Sequence, residues 1–145
     1  MSDARHTLNE LLVDLFNYIL LIEEKNLRDQ NVNLSMTEVH ILDAIEKSDS
    51  NMMSAIAKRL MVTQGTLTVS TGKLVKKGYI VRVKDEKDKR VVRLSLTDKA
   101  QDVLKIHDKF HTEMIDKVVD ELEVDKDRKL MKSLENVLAF FKERY

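Results

Sequence analysis

Apolar residues recur at helical spacing through most of the chain. In the N-terminal segment they fall three or four positions apart from Leu8 to Leu20, which predicts one amphipathic helix ending near Arg28. The same spacing predicts five further helices, which begin near residues 35, 52, 64, 98 and 125. The chain is therefore expected to be mainly α-helical.

Polar residues stand where these helices are expected to begin and end. The segment Ser35-Met-Thr-Glu38 has the form of a capping box, in which the Ser and Glu side chains each bond the other residue's backbone N–H. Asn51, Thr63 and Thr97 are predicted N-caps because short polar side chains accept from the first free N–H groups of a helix. Gly78 directly follows the predicted fourth helix, at a position that commonly takes the left-handed backbone conformation.

One stretch breaks the helical pattern. Residues 82–97 read RVKDEKDKRVVRLSLT, in which a run of charges separates two segments rich in Val, Leu and Arg. Val92, Leu94 and Leu96 alternate with their neighbours, which is the period of a half-buried strand. The pattern predicts a β-hairpin with a charged turn and strands at about 80–84 and 91–96.

The order of short helix, tight turn, longer helix and hairpin is typical of a winged helix-turn-helix. The fold is therefore predicted to be mainly α with a small β-hairpin, in one domain over residues 1–145. Its DNA-binding lobe would span residues 30–97. The fifth helix would be about 26 residues and about 39 Å long, more than a domain of this size can cover. Segments 1–29 and 98–145 are therefore predicted to supply the dimerisation helices of a homodimer.

The charge of the chain is zero overall but unevenly distributed. Residues 1–57 carry 4 basic and 10 acidic side chains, residues 58–93 carry 11 and 3, and residues 94–145 carry 10 and 12. A basic block of this kind is the electrostatic mark of a surface that binds a polyanion. The alternative is a solvated, merely Lys-rich face.

Composition excludes several other classes. The chain has no Cys, so it has neither disulfides nor thiolate metal ligands. It shows no basic-then-apolar leader and no run near the roughly 18 apolar residues of a membrane span. The cytoplasm is the expected location.

The predicted fourth helix supplies most of the candidate DNA contacts. Leu67, Thr71 and Leu74 are spaced to face inward, which leaves another side of the helix for DNA. A major groove admits one helix, and the hairpin beside it can reach a neighbouring minor groove. The candidate contacts are Thr63, Gln64, Thr66, Thr68, Val69 and Lys73, with Arg82 and Lys89 on the hairpin. Gly65 and Gly72 are costly inside a helix, and close approach to a DNA backbone is a hypothesis for Gly65.

The wing sequence GYIVRVKDEKDKRVVRLSLTDKA, residues 78–100, resembles that of the MarR family of dimeric transcription regulators. The family pattern is Asp-x-x-Asp-x-Arg at the tip, followed by a strand ending in Leu-Thr and by a long helix. The resemblance implies that Arg90 enters a minor groove and that Asp88 holds it by an ion pair. Ala100 replaces the usual Gly.

Three further stretches are similar to one branch of that family, the repressors of fatty-acid synthesis genes in Gram-positive bacteria. They are YILLIEEKNLR, LMVTQGTLT and HDKFHTEM. This resemblance implies palindromic operator DNA and long-chain acyl-acyl carrier protein as corepressor. The acyl-chain pocket candidates are Leu15, Ile19, Ile22, Phe110 and Met114, and the alternative is that they form plain dimer core.

The histidines support an alternative function. His107 and His111 are one helical turn apart, a spacing that can present two nitrogens to one metal, and His40 and Glu24 (or Glu23) are further candidate ligands. A zinc-responsive branch of the family uses a similar set, so a metal-responsive regulator stays open. The other interpretation is that these are hydrogen-bonded or surface residues, and no cofactor is expected.

The sequence gives little support to two classes outside DNA binding. For an enzyme there is no phosphate-binding Gly loop and no nucleophile context; His107, His111 and Glu113 as a hydrolytic metal site would need an open cleft. A pure interaction protein would explain the apolar stripes but not the wing. The chain is therefore not expected to be an enzyme.

Overall fold

The computed structural model describes residues 3–145 and contains helices and one two-stranded sheet. Met1 and Ser2, at the start of the predicted dimerisation segment, lie outside the described residues. The elements are α1 (Ala4–Asn9), a π-helical segment (Glu10–Leu15), α2 (Phe16–Asp29), α3 (Met36–Lys47), α4 (Met53–Leu60), α5 (Gln64–Lys76), β1 (Ile80–Lys84), β2 (Val92–Leu96), α6 (Asp98–Leu122), a 3₁₀ turn (Val124–Lys126) and α7 (Arg128–Arg144).

These elements form two compact units, Met1–His107 and Asp108–Tyr145, and the boundary falls inside helix α6. The first unit contains the hydrophobic core, to which α2, α3, α4, α5, both strands and the start of α6 contribute. Its most completely buried side chains are Leu27, Val39, Leu42, Ile56, Leu67, Leu74, Ile80, Leu94 and Leu104.

The predicted N-terminal helix is one continuous helical run from Ala4 to Asp29, with a π-helical segment inside it. A π turn inserts an extra residue into the i→i−4 ladder and is rare. The apolar spacing did not predict it, because apolar residues three and four positions apart are expected of an ordinary α-helix. The side chains from Asp3 to Tyr18 are all exposed.

The polar caps of the helix-turn-helix are formed as predicted, with one exception. Ser35 and Glu38 make the reciprocal capping box at α3, and the Thr63 Oγ1 accepts from the Thr66 N–H at α5. Gly78 has φ +83°, the left-handed conformation expected after α5. The Thr97 Oγ1 accepts from the Ala100 N–H at the start of α6 at a long 3.4 Å.

The prediction that Asn51 caps α4 was wrong. The residue at the N-cap is Met52, which has no side-chain cap. The Asn51 side chain instead accepts a hydrogen bond from Arg93 at 3.1 Å, and its carbonyl accepts from the Leu94 N–H at 2.8 Å. A bond to the neighbouring strand competes with the local cap, and spacing along the chain cannot reveal such a partner.

The hairpin pairs antiparallel with the register Ile80↔Leu96, Arg82↔Leu94 and Lys84↔Val92. Leu94 and Ile80 are buried, so one face of the two strands closes the core of the first unit. The charged turn lies at the far end of this anchored ladder.

The C-terminal unit exposes its apolar side chains to solvent. No residue within 108–145, all of which are described, is buried. The large exposed apolar residues there are Ile115, Val118, Leu122, Leu130, Met131, Leu134, Leu138, Phe140, Phe141 and Tyr145. Long terminal helices with exposed apolar faces fit a dimerisation arrangement. Among the described residues, no helix is both long and apolar enough to cross a membrane.

The ion pair between Glu38 and Lys77 joins the capping box of α3 to the end of α5, at 3.0 Å. Burial alone would raise the pKa of Glu38, but the Ser35 N–H and Lys77 outweigh it and lower the pKa below 4.5. Because the folded-state pKa is lowered, this carboxylate stabilises the fold above pH 4.5, and the contribution is lost as the pH falls through the lowered value.

We therefore expect Glu38→Gln to lower the free energy of unfolding at neutral pH and to reduce its dependence on pH below 4.5. Gln keeps the capping box, so the change isolates the charge. Urea unfolding at a series of pH values is the measurement, with Glu46→Gln on the exposed part of the same helix as control. Equal pH profiles for the wild type and Glu38→Gln would contradict the assignment.

Candidate nucleic-acid interface

Helix α5 presents one buried face and one exposed face, as the sequence predicted. Leu67, Thr71 and Leu74 are buried. The exposed residues of α5 include every predicted contact within it, namely Gln64, Thr66, Thr68, Val69 and Lys73. Val69 is 66% exposed and places an apolar side chain on this face.

The first turn of α5 is held by hydroxyl groups. Thr63 donates from Oγ1 to the Thr66 Oγ1 at 2.9 Å, and the Thr68 Oγ1 donates to the Gln64 carbonyl at 2.7 Å. The exposed side chains of Gln64, Thr66 and Thr68 carry amide and methyl groups. Such groups suit contact with thymine methyls and adenine edges in a major groove.

The tip of the wing carries an exposed, oriented guanidinium. Arg90 is 91% exposed at its side chain and donates to Asp88 from Nε at 3.1 Å and from Nη2 at 3.3 Å. The ion pair implied by the family resemblance is therefore present. Lys89 is exposed in the same turn.

Two acidic side chains stay ionised within this turn. Hydrogen bonds from the Arg90 side chain and backbone lower the pKa of Asp88, against a smaller opposing effect of Asp85. The Asp88 N–H, followed by Arg93, lowers the pKa of Asp85. Asp88 is thus a charged acceptor at neutral pH, which fixes the plane of the guanidinium beside it.

Arg82, predicted as a DNA contact, donates to helix α5. Its Nη2 lies 2.6 Å from the Thr68 carbonyl and 2.6 Å from the Thr71 hydroxyl. Gly72 lies beneath this guanidinium: a Cβ added there would stand 3.7 Å from Nη2, an ordinary contact. Arg82 therefore ties β1 to the recognition helix, and its role as a DNA contact stays a prediction.

A groove of about 330 Å³ separates the recognition helix from the wing. It brings together Gln64 and Thr68, which the sequence had placed on the fourth helix, and Arg90, which it had placed on the hairpin. Its lining also includes Met52, Met53, Ser54, Val91 and Val92. Ser54 and Met52 could not be predicted from the sequence, since they precede the recognition helix and carry no charge or pattern that marks them.

The candidate metal ligands lie around a buried carboxylate. Glu23 and His107 are both buried, and their ligand atoms lie within 4.8 Å. The His40 ring packs edge-on against that of His107, with 6.1 Å between centroids. Glu24, the carboxylate predicted first, is half-buried. His111 follows His107 by one turn of α6 and packs against Phe110.

The acyl-pocket candidates fall in both units. Leu15, Ile19 and Ile22 belong to the first unit, and Phe110 and Met114 to the second. Leu15 and Ile22 are 46% and 51% exposed, and the other three are half-buried. They are apolar surface, and their role stays a prediction.

Comparison with known proteins identifies the family of this chain. The model of the MarR family matches residues 34–92. A crystal structure of Streptococcus pneumoniae FabT in complex with DNA matches 97% of this chain and 99% of that chain, with 37% identity and a TM-score of 0.87. The chain belongs to the MarR family.

Other similar proteins are also transcriptional regulators. The structure of the transcriptional regulator BldR from Sulfolobus solfataricus is 25% identical and covers 94% of this chain and 96% of that chain, with a TM-score of 0.68. SarZ of Staphylococcus epidermidis, an HTH-type transcriptional regulator, is 34% identical over 70 residues. That match covers 48% of this chain and 47% of SarZ, so the chain is aligned with about half of the curated relatives' length.

Substitution of Gly72 tests the space between helix α5 and the Arg82 guanidinium of strand β1. Since a Cβ has room there, we expect Gly72→Ala to raise the free energy of unfolding by about 1 kcal/mol, the helix-interior difference between Gly and Ala. Gly78→Ala is the matched control and should lower it by about 1–2 kcal/mol, because φ is positive there. Chemical denaturation measures both. A destabilised Gly72→Ala would mean that Arg82 cannot give way to a methyl group.

Proposed function

We propose that this protein is a homodimeric, DNA-binding repressor of fatty-acid biosynthesis genes, with long-chain acyl-acyl carrier protein as its corepressor. Each helix α5 would enter a major groove of a palindromic operator, and each wing would reach a minor groove. The observation that carries the DNA part is the groove shared by Gln64, Thr68 and the exposed, Asp88-bound Arg90.

Charge supports the choice of a nucleic acid as partner. The block from Lys58 to Arg93 has a net charge of +8 and contains the recognition helix and the wing. Neutralising phosphates releases counterions, which supplies much of the affinity of such proteins for DNA. The outward Thr, Val and Gln side chains of α5 carry groups that read base edges, so the same surface can also provide selectivity.

The apolar helices support the dimer. Leu8, Leu11, Leu12 and Phe16 are all more than 40% exposed in the N-terminal segment, and α7 exposes a second set. Surfaces of this kind are normally covered by a partner. A palindromic operator requires two copies of the reading surface, which a homodimer provides.

The fatty-acid part rests on the match to FabT along nearly the whole chain and on the apolar candidates Leu15, Ile19, Ile22, Phe110 and Met114. An acyl chain would lie against these side chains at the dimer interface. It could control DNA binding only by preferring one dimer geometry, because a ligand shifts an equilibrium by its difference in affinity for the two states.

A zinc-responsive regulator is the second candidate. It is favoured by the close approach of Glu23 to His107 in a buried setting, with His111 one turn further along the same helix. A buried carboxylate beside an imidazole is also a common hydrogen-bonded pair, so the two candidates are separated by the ligand that changes DNA binding.

Replacing Arg90 tests the wing. We expect Arg90→Ala to weaken operator binding by about 1–3 kcal/mol and to reduce the slope of log K against log salt by about 0.9. Fluorescence anisotropy at several salt concentrations measures both quantities. Arg128→Ala, which removes the same charge from the C-terminal unit, is the control, and sedimentation should show an unchanged oligomeric state. Unchanged affinity and slope would overturn the wing assignment.

A gel-shift titration tests the effector. Protein stripped with EDTA is titrated onto a fatty-acid-synthesis promoter fragment, alone, with long-chain acyl-acyl carrier protein, with the unacylated carrier, or with zinc. We expect tighter binding only with the acylated carrier, and weaker enhancement after Ile22→Glu. A response to zinc alone, abolished by His107→Ala, would support the second candidate and reject the first.

A further inference from the structure

Asn51 binds strand β2 through both its side chain and its backbone. The Oδ1 atom accepts from the Arg93 Nη1 at 3.1 Å, and the carbonyl oxygen accepts from the Leu94 N–H at 2.8 Å. The neighbouring Met52 forms an isolated bridge with Arg93. The segment before α4 is therefore hydrogen-bonded to the free edge of strand β2.

Arg93 continues this connection toward the tip. Its Nε donates to the Asp85 Oδ1 at 3.3 Å. The other carboxylate oxygen of Asp85 accepts the N–H groups of Lys87 at 3.2 Å and of Asp88 at 3.0 Å. One guanidinium thus joins the helix-turn-helix body to the carboxylate that organises the turn.

The last link is the ion pair already described. Asp88, whose N–H is held by Asp85, accepts from Arg90. Asn51, Arg93, Asp85, Asp88 and Arg90 therefore form a continuous hydrogen-bonded chain from the start of α4 to the exposed tip. The side chains of Arg93 and Asp85 are 40% and 25% exposed, against 91% for Arg90, so this pair is better shielded than the tip it supports.

We infer that Asn51, Arg93 and Asp85 are positioning residues for DNA reading: they hold the wing tip at a fixed distance from helix α5, so that Arg90 meets its groove while α5 is in the neighbouring one. The inference rests on the proposed DNA-binding function and deepens it. A two-stranded ribbon on its own is marginally stable and twists freely. We call the hydrogen-bonded link through Asn51, Arg93 and Asp85 the strut. Without it the turn would sample many positions, and ordering the turn on DNA would reduce the affinity.

The competing role for Arg93 is direct contact with a phosphate. The two roles predict different salt dependence. Loss of a phosphate contact lowers the slope of log K against log salt. Loss of positioning keeps the charge of Arg93 and weakens binding mainly through Arg90. Asn51→Ala and Arg93→Lys both keep the net charge of the DNA-binding lobe. The first removes the Oδ1 acceptor of the strut, and the second removes the guanidinium that joins Asn51 to Asp85. The Asn51 carbonyl still accepts from Leu94 in Asn51→Ala, so this change isolates the side-chain link.

The test is a double-mutant cycle between Asn51→Ala and Arg90→Ala, with operator affinity measured at several salt concentrations. We expect Asn51→Ala alone to weaken binding about tenfold, and to have little further effect when Arg90 is already Ala. Ser95→Ala, exposed on the same strand, is the control and should behave as the wild type in both backgrounds. Arg93→Lys should weaken binding as Asn51→Ala does.

A measurement without DNA completes the design. Hydrogen–deuterium exchange of the peptide covering residues 85–91 should be faster in Asn51→Ala than in the wild type, with unchanged exchange in α5. If Asn51→Ala costs the same affinity with and without Arg90, or leaves exchange of the tip unchanged, the strut is refuted. If Arg90→Ala itself leaves DNA binding unchanged while tip exchange responds to Asn51→Ala, the wing function fails and the strut stands as structure only.

Discussion

The attachment of the β-hairpin to the helix-turn-helix is the constraint on which the rest of the proposed DNA-binding surface depends. Two strands alone are marginal in water, so the wing needs the body to define its place. It is held from both sides: Leu94 and Ile80 are buried in the core, Arg82 bonds α5, and Asn51 bonds β2. The groove between helix and wing exists because these contacts keep the two elements apart at a set distance.

Local signals in the sequence were sufficient for most of the architecture. The capping box at Ser35, the Thr63 cap and the left-handed Gly78 each depend on neighbours within a few residues, and all are present. Asn51 has the same polar character and was assigned the same role, but its partner lies 42 residues away. The π-helical segment was not predicted, because the apolar spacing around it is that of an ordinary α-helix.

The candidate site likewise contains residues whose positions the local sequence pattern predicts and residues whose positions only the fold reveals. The faces of α5 follow from helical periodicity, so the outward position of Gln64 and the inward position of Thr71 could be predicted. Arg82 could not be assigned in advance, because a basic residue on a strand gives no sign of whether it meets protein or solvent. Glu23 and Glu24 are adjacent acids on one helix, and only the fold decides which of them is buried beside His107.

The tip of the wing has equal numbers of acids and bases: residues 85–90 read DEKDKR. A turn with no net charge gains little from the uniform field of an anionic polymer at a distance, because that field acts on the total charge. The basic residues behind it provide the long-range attraction. In the proposed complex the balanced tip would respond mainly to the local shape and potential that it touches, so capture and discrimination would fall to different parts of one small surface. A protein divided in this way can move along a polyanion held by one part while the other tests each site.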